Sequence, residues 1–596
     1  MCGIVAGRTS GAVTGTLTEA LARLEYRGYD SVGVAVAQAD GTLQVRRTTA
    51  RVEALVDRLA ADPVAGTTGV GHTRWATHGA VTEGNAHPHA DCSGRLALVH
   101  NGIITNADAL RAGLRERGHV VASDVDSEVV VHLVEEALGT GLAAAVEAAV
   151  EQLTGTWALA VLDALTGELV ATSHGSPLVV AEGPEGVYLA SDVAAVAAWI
   201  DDFRVLEDGH VVTVGETTTW RHGGHVAEPP LLRRCTISVA ELSRELYADF
   251  MSKEIDEQPL VATRVLESWG APAQDGSLWH ASGLPDFARV AVLGCGTSLN
   301  AGRAVAGVLG RVAGVPTQAV VASEADDWVV EPDTLVLAFS QSGETADVLR
   351  ALDRVEHRGA PVVAVTNSAW SALGRRADFV MSCHAGPEIG VAATKTYTAQ
   401  VLTGTCLAIA ACVGTGRLAR STGRAMVADL GRVPDLVAQS IGVAMQAVPT
   451  IAAATSEASG FLFLGRGIAR SYADEGALKL KELSYLWAES HASGELKHGP
   501  LALVEPGTPV VAVDDGSSRM QASLAEVRAR GGDVIDIGGP GSALPALGTS
   551  GGIPGIDWCG PLESVMAMQV LARQVAVLRG RDIDKPRNLA KSVTVE

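Results

Sequence analysis

Met1 is followed directly by Cys2, and a small residue at position 2 normally permits removal of the initiator methionine. Cys2 would then carry a free α-amino group, with an ordinary pKa of about 8, able to act as general base for its own thiol. Further along, His100-Asn101-Gly102 ends an apolar run, and the Asn101 amide with the Gly102 N–H makes a plausible oxyanion pair. Arg74, inside Gly71-His72-Thr73-Arg74-Trp75-Ala76-Thr77-His78-Gly79, offers a planar fork for a carboxylate, and Asp126 offers a counter-charge for an ammonium. Acyl transfer from an amino-acid amide such as glutamine needs these four functions. Taken singly, each residue has a plainer reading: Arg74 a surface ion pair, Asn101 a turn residue, Asp126 a helix N-cap.

A second chemistry is written later in the chain. Ser340-Gln341-Ser342-Gly343-Glu344-Thr345 follows an apolar strand and opens a helix, so hydroxyls, an amide and free helix N–H groups could hold a phosphate. The alternative is a Ser/Thr-rich helix cap. No GxxxxGK[ST] motif supports a nucleotide P-loop. Glu475, Lys479 and Glu482 share one helical face, followed by Ser493-Gly494-Glu495-Leu496-Lys497-His498-Gly499-Pro500. An exposed salt-bridged helix is the usual fate of such a pattern, but Leu478, Leu480 and Leu483 leave little room for a polar surface face.

The elements that must position these groups fall into two unlike halves. Up to about Thr219 short Val/Ala/Leu runs alternate with turns, as at Val32–Ala37, Ala97–His100, Trp157–Leu162 and Val187–Ala190, with one clear helix over Glu128–Leu138. This predicts an α+β domain of mainly antiparallel sheets over residues 2–220. The polar, Gly/His/Pro-bearing stretch Thr217–Pro230 reads as a linker, giving a connecting segment of 221–245. Beyond it the rhythm becomes strand, Gly/Ser loop, helix, the mark of a parallel doubly wound sheet. Val290–Leu293 runs into Gly294-Cys295-Gly296-Thr297-Ser298, and Thr334–Phe339 runs into the Ser340 loop. Phe461–Leu464 and Pro509–Val513 repeat the phrase, with Asp514-Asp515-Gly516-Ser517 where the Ser-rich turn stood. Two α/β domains over 246–430 and 431–580 follow, then a tail over 581–596.

Bulk composition narrows the class. A chain of 596 residues needs several cores, and 47% hydrophobic with 19% charged residues suits a packed protein. The net charge of -22 argues against a nucleic-acid binder. Eight cysteines without a CxxC pair suggest reduced thiols and no structural zinc. No secretory signal follows Met1, and the apolar stretch Val401–Val413 reads as a core helix, so a cytoplasmic location is expected.

MCGIVAG, LEYRGYDSVGVA, GHTRWATHG, NAHPH and VHNGIITN together resemble the glutaminase domain of class II amidotransferases, an N-terminal-nucleophile fold of αββα type. The resemblance implies Cys2 as nucleophile, Asn101 and Gly102 as oxyanion hole, and Arg74, Thr77, His78 and Asp126 as glutamine contacts, with Arg27 and Gly28 lining the pocket. LGCGTS, SQSGETAD, PEIGVAATK, EGALKLKELSY, GELKHGPLAL and PRNLAKSVTVE resemble the sugar isomerase (SIS) domains of the glutamine–fructose-6-phosphate aminotransferase family, also called glucosamine-6-phosphate synthases. That likeness implies a fructose 6-phosphate site built from Thr297, Ser298, Ser340, Gln341, Ser342, Thr345, Val391 and Lys479. It implies Lys591 as Schiff-base lysine, Glu482 as the C1–C2 proton carrier, and His498, from a neighbouring subunit, as the ring opener. A homodimer follows, with Trp75 gating an ammonia passage, the tail covering the sites, and no metal or pyridoxal phosphate needed.

One departure touches a binding loop: Ala393 stands where the family commonly has serine, in Ala392-Ala393-Thr394-Lys395. Two rival readings remain at this level, a paralogue aminating another ketose phosphate and a non-catalytic sugar-phosphate sensor. Intact Cys2, Glu482, His498 and Lys591 argue against the sensor.

Overall fold

The computed structural model describes residues 2–76, 78–539, 542, 544 and 558–594. The chain forms two compact units, one up to Ser243 together with the stretch from Ala590, the other Arg244–Leu589.

In the first unit the period-2 pattern becomes two antiparallel sheets. One runs in the order Leu232–Arg234, Asp202–Val205, Val179–Gly183, Gly186–Ala190, Gly3–Thr9, Thr68–Arg74, Ser31–Ala37, Leu43–Thr48. The other runs His225–Val226, Thr218–His222, His210–Val214, Glu168–His174, Gly155–Asp163, Leu96–Ile104, His89–Ala90. Along Leu96–Ile104 successive side chains face opposite ways. Ala97 and Val99 enter a core shared with Ile4, Ala6, Ala35 and Val70 of the first sheet. Leu96 and Leu98 instead pack under the helices Glu128–Ala137 and Leu142–Val150. The helix Val13–Leu24 packs on the outer face of the first sheet, over Gly7, Gly69 and Gly71, and completes the αββα layering.

The segment 221–245 is not the linker that its composition suggests. Thr218–His222 turns at Gly223-Gly224, with φ of +56° and +79°, into His225–Val226. Two adjacent positive φ values are what a tight hairpin needs, so the glycines that read as flexible punctuation close a β-ribbon. Trp220, 7% exposed, joins the inter-sheet core, and Leu232–Arg234 pairs with Asp202–Arg204 at a sheet edge. The irregular connection is shorter and begins after Arg234.

The second unit holds two parallel sheets. The five-stranded one is ordered Thr317–Val321, Arg289–Gly294, Thr334–Ser340, Val362–Thr366, Phe379–Ser382; the four-stranded one Trp487–Ala492, Gly460–Gly465, Pro509–Val513, Asp533–Ile537. In both, the first strand in sequence lies between the second and the third, the doubly wound arrangement with a switch point beside the first strand. Pro509–Val513 is therefore the third strand of its sheet, the counterpart of Thr334–Ser340. The intervening Trp487–Ala492 was hidden by its Glu, Ser and His residues, which an edge strand tolerates. One continuous core spans the sequence boundary near residue 430, and the helix Lys395–Gly414 is buried within it.

Candidate active sites

Gly3 pairs with Thr73, which brings Cys2 beside Arg74 and Trp75. The Trp75 N–H donates to Cys2 Sγ at 3.2 Å. Asn101 Nδ2 donates to the Cys2 carbonyl at 3.0 Å, as does Arg27 Nε at 3.3 Å. Asn101 is itself held: His72 Nε2 lies 3.0 Å from both Asn101 Oδ1 and the His100 carbonyl. Both partners are acceptors, so His72 carries its proton on Nε2. The Asn101 NH2 is thereby turned toward Cys2. Behind His72 lies the His87 ring, tilted at 4.1 Å, and His89 stands edge-on to His87 at 4.5 Å. Burial pushes His72 and His89 down to about 3, so they pack as neutral rings. Burial pushes the Cys2 thiol up, while the chain's N-terminal charge, the Trp75 N–H and the Arg74 guanidinium pull the other way.

The other expected glutamine contacts that the structure describes gather here, and several already bond to neighbouring protein groups. Arg74, 3% exposed, binds the carbonyls of His78, Gly79 and Ala80, so it shapes that loop. His78 takes part through that carbonyl, and Thr77 lies outside the described residues. Asp126 is not a helix cap: its Oδ2 accepts from the Ile104 N–H at 2.8 Å, tying the residues before Glu128–Ala137 to the strand that carries Asn101 and Gly102. Gly102 has φ +133°. Arg27 is buried in an ion pair with Asp192 at 2.9 Å, and Gly28 lets the backbone pass close, since a Cβ there would lie 2.7 Å from the Arg74 carbonyl carbon. The Trp75 ring stands edge-on to Tyr29. Sequence reasoning missed His72 and Asp30, whose carboxylate accepts from the Ala76 N–H at 2.8 Å. His72 lies inside a motif already singled out, and only the strand register reveals its target.

In the second unit the Ser340 loop and the start of the helix Gly296–Ala313 both lie at carboxyl ends of adjacent strands, the switch point where open parallel sheets bind ligands. The loop is prearranged: Ser340 Oγ is 2.8 Å from Thr345 Oγ1 and accepts from the Gly343 N–H, and Ser342 Oγ accepts from the Glu344 N–H. The Gln341 carbonyl receives the Asn367 N–H. At the equivalent place in the four-stranded sheet Asp514 and Asp515 bring carboxylates, which repel a phosphate.

Glu475, Lys479 and Glu482 are not an exposed salt-bridged face. On the helix Ala469–Ser484 Lys479 is 1% exposed, with Nζ 2.6 Å from Glu482 and 3.4 Å from Glu475. It donates to Thr297 Oγ1, which donates to Glu475; Asn300 Nδ2 donates to Glu475 as well. Burial raises Glu475 to about 7. Ser298 Oγ accepts from Gln400, and the Val391 N–H donates to the Asp584 carbonyl. His498 is exposed on the short turn Ser493–His498, and its ring makes no polar contact among the described residues.

The first residues of the tail are fastened to the second unit. Asp584 accepts from the Phe250 and Met251 N–H groups, and Arg581 and Arg587 lie over the Tyr485 ring. Lys591 belongs to the terminal stretch grouped with the first unit.

Residues 72–198 match the glutamine amidotransferase domain family, and residues 284–410 and 456–544 match the SIS domain family. Relatives from Pseudomonas syringae pv. tomato and Pseudomonas putida are 41% and 42% identical over the whole of both chains. One from Aeropyrum pernix is 40% identical with the same full coverage. All three are named glutamine–fructose-6-phosphate aminotransferase (isomerizing). Among solved structures, the C-terminal domain of glucosamine-fructose-6-phosphate aminotransferase from Francisella tularensis is 32% identical, covers 58% of this chain and 99% of that one, and has a TM-score of 0.53. An antiparallel unit with a half-buried cysteine near its N-terminus and a unit of two parallel sheets coincide with the amidotransferase and SIS matches, and the chain belongs to the glutamine–fructose-6-phosphate aminotransferase (isomerizing) family.

Proposed function

We propose that the chain converts D-fructose 6-phosphate and L-glutamine to D-glucosamine 6-phosphate and L-glutamate. Cys2 Sγ attacks the glutamine amide carbon, the oxyanion is met by Asn101 Nδ2 and the Gly102 N–H, and ammonia leaves a thioester that water hydrolyses to glutamate. A thiol raised by burial needs a base, and the α-amino group of Cys2 supplies one once Met1 is gone. Arg74 and Asp126 receive the substrate's carboxylate and ammonium, assisted by Thr77 and His78. Ammonia reaches the sugar without release to water, which would protonate it, and Trp75 gates its passage.

The Ser340–Thr345 loop, with Thr297 and Ser298, takes the phosphate of fructose 6-phosphate. His498 of a second copy of the chain opens the ring in a homodimer. Lys591 Nζ condenses with the C2 ketone, releasing water; ammonia displaces the lysine and leaves the C2 imine. Glu482 removes a proton from C1 and returns one to C2, while the C1 hydroxyl gives up its proton and the imine nitrogen gains one, giving the aldose amine. The observation that carries this reading is the Lys479 bridge, which joins Glu482 to Thr297 at the switch point of the phosphate-loop sheet.

Glutamate release and amino-sugar formation, measured on the purified chain with and without fructose 6-phosphate, test the proposal. Fructose 6-phosphate should accelerate glutamate release, with glucosamine 6-phosphate formed in equal amount. Absence of glutamate release under both conditions would sink it.

A further inference from the structure

Four side chains outside the glutamine and sugar sites converge on one point of the first unit. Cys92 lies in the loop between the strands His89–Ala90 and Leu96–Ile104. His119 follows the helix Ala107–Glu116, and His132 and Glu135 sit one turn apart on Glu128–Ala137. Cys92 Sγ is 3.5 Å from Nδ1 of His119 and 3.5 Å from Nδ1 of His132. Glu135 Oε2 is 3.2 Å from each of the same two nitrogens. All four ligand atoms lie within 4.8 Å of one another.

We propose that Cys92, His119, His132 and Glu135 form a zinc site that staples the amidotransferase unit. With metal–ligand bonds of about 2.0–2.3 Å, the edges of a tetrahedron are about 3.3–3.8 Å. Four of the six ligand pairs already sit at or close to that spacing. One thiolate, two imidazoles and one carboxylate suit zinc or cobalt(II) and are too soft for magnesium or calcium. Four protein ligands leave no open position, so the site is structural.

The outer groups point the same way. His119 turns Nδ1 inward and hydrogen-bonds through Nε2 to a carboxylate, the arrangement that fixes metal-binding imidazoles, while His132 turns Nδ1 inward and has a carboxylate near Nε2 beyond hydrogen-bond reach. His119 Nε2 is 3.1 Å from Glu136, which Arg117 grips through two nitrogens. His132 Nε2 is 3.7 Å from Glu128, whose carboxylate accepts the Ala122 and Ser123 N–H groups. The Val120 N–H approaches Cys92 Sγ at 3.5 Å, as it would a thiolate. Hydrogen bonding alone would crowd two imidazoles and a backbone N–H onto one carboxylate oxygen, Glu135 Oε2. Cys92 is exposed, so an ion can enter from solvent.

The staple would act on the amide-hydrolysing site at second hand. It joins the helix that follows Asp126 to the loop that feeds the strand carrying Asn101. His100 Nδ1, 2.7 Å from Ser127 Oγ, links the same strand to the residue that opens the helix.

The test is metal analysis of the full-length, untagged chain equilibrated with zinc chloride and then dialysed. One zinc ion per chain is expected, with affinity lowered ~10-fold or more in Cys92→Ser and in His119→Gln. Cobalt(II) should give a thiolate-to-metal charge-transfer band that Cys92→Ser abolishes and Cys2→Ser retains. Zinc should also raise the unfolding temperature of the wild-type chain and leave that of Cys92→Ser unchanged. Circular dichroism confirms that all three variants are folded, and amino-sugar formation confirms it for Cys92→Ser and His119→Gln. A chain that retains no zinc and gives no cobalt band overturns the proposal, and so does zinc held equally by both variants and the wild type.

Discussion

His72 and Asn101 form one device. His72 Nε2 donates to Asn101 Oδ1 at 3.0 Å, and the same Asn101 gives its Nδ2 to the Cys2 carbonyl at 3.0 Å. With His72 held neutral by burial, only one tautomer satisfies both acceptors it faces, and the amide cannot flip without losing that bond.

The pair should therefore respond to mutation as a unit. Asn101→Ala should lower kcat for glutamine hydrolysis by ~10²–10³, the usual effect of removing one oxyanion donor. His72→Phe should fall short of that, because the amide remains but is free to turn. The double variant should be no worse than Asn101→Ala alone, since the two act through one hydrogen bond. Steady-state glutamate release measures all three, and additive losses would show that His72 acts elsewhere.

Gly343 and Gly416 share a backbone conformation and differ in surroundings. Their φ values are +68° and +74°, but a Cβ at Gly343 would collide with Ser371, whereas nothing lies within 4 Å of one at Gly416. Gly416→Ala should cost about 1–2 kcal/mol, the penalty of a left-handed alanine alone. Gly343→Ala should cost more in urea unfolding, because Ser371 must move. It should also raise KM for fructose 6-phosphate, since Ser340 Oγ accepts from the Gly343 N–H. Equal stabilities of the two variants would contradict the packing.

What the sequence revealed, and what it hid, follows from how far each cause lies along the chain. Cys2, the Asn101-Gly102 pair and the Ser340 loop were legible because a few adjacent residues define them. The burial of Glu475 and Lys479 was half legible, through the leucines between them; their partners Thr297 and Asn300 sit on a distant helix. Trp487–Ala492 escaped notice because an edge strand needs no apolar run. The ligands of the Cys92 cluster come from a loop, a turn and a helix, so no short spacing announces them. Gly223-Gly224 misled, because the same dipeptide serves a linker and a tight hairpin.

That hairpin can be tested through Trp220. If 221–234 were a linker, Trp220→Ala would be nearly silent. As an inter-sheet core residue, 7% exposed, it should cost about 3–5 kcal/mol on truncation. Unfolding monitored by glutaminase activity should shift accordingly, while a marker of the second unit does not. A shift below about 1 kcal/mol, the range of surface changes, would restore the linker reading.

Glu475 should give the chain a pH signature. Its folded pKa is raised from 4.5 to about 7, chiefly by burial, so between those values the folded state holds a proton that the unfolded chain has lost. The stability this group contributes is therefore full below its unfolded pKa and declines as pH rises through 7. Glu475→Gln removes the titration and keeps one acceptor oxygen, enough for either Asn300 or Thr297. The variant should thus gain on the wild type as pH rises across that window, by no more than about 1.4 kcal/mol per pH unit. Lys479 stays charged beside Glu482, because the two carboxylates around it outweigh its burial. Urea unfolding of both proteins from about pH 5 to pH 8 measures the difference. A difference that is flat with pH would mean Glu475 is ionised throughout, sharing Lys479 equally with Glu482.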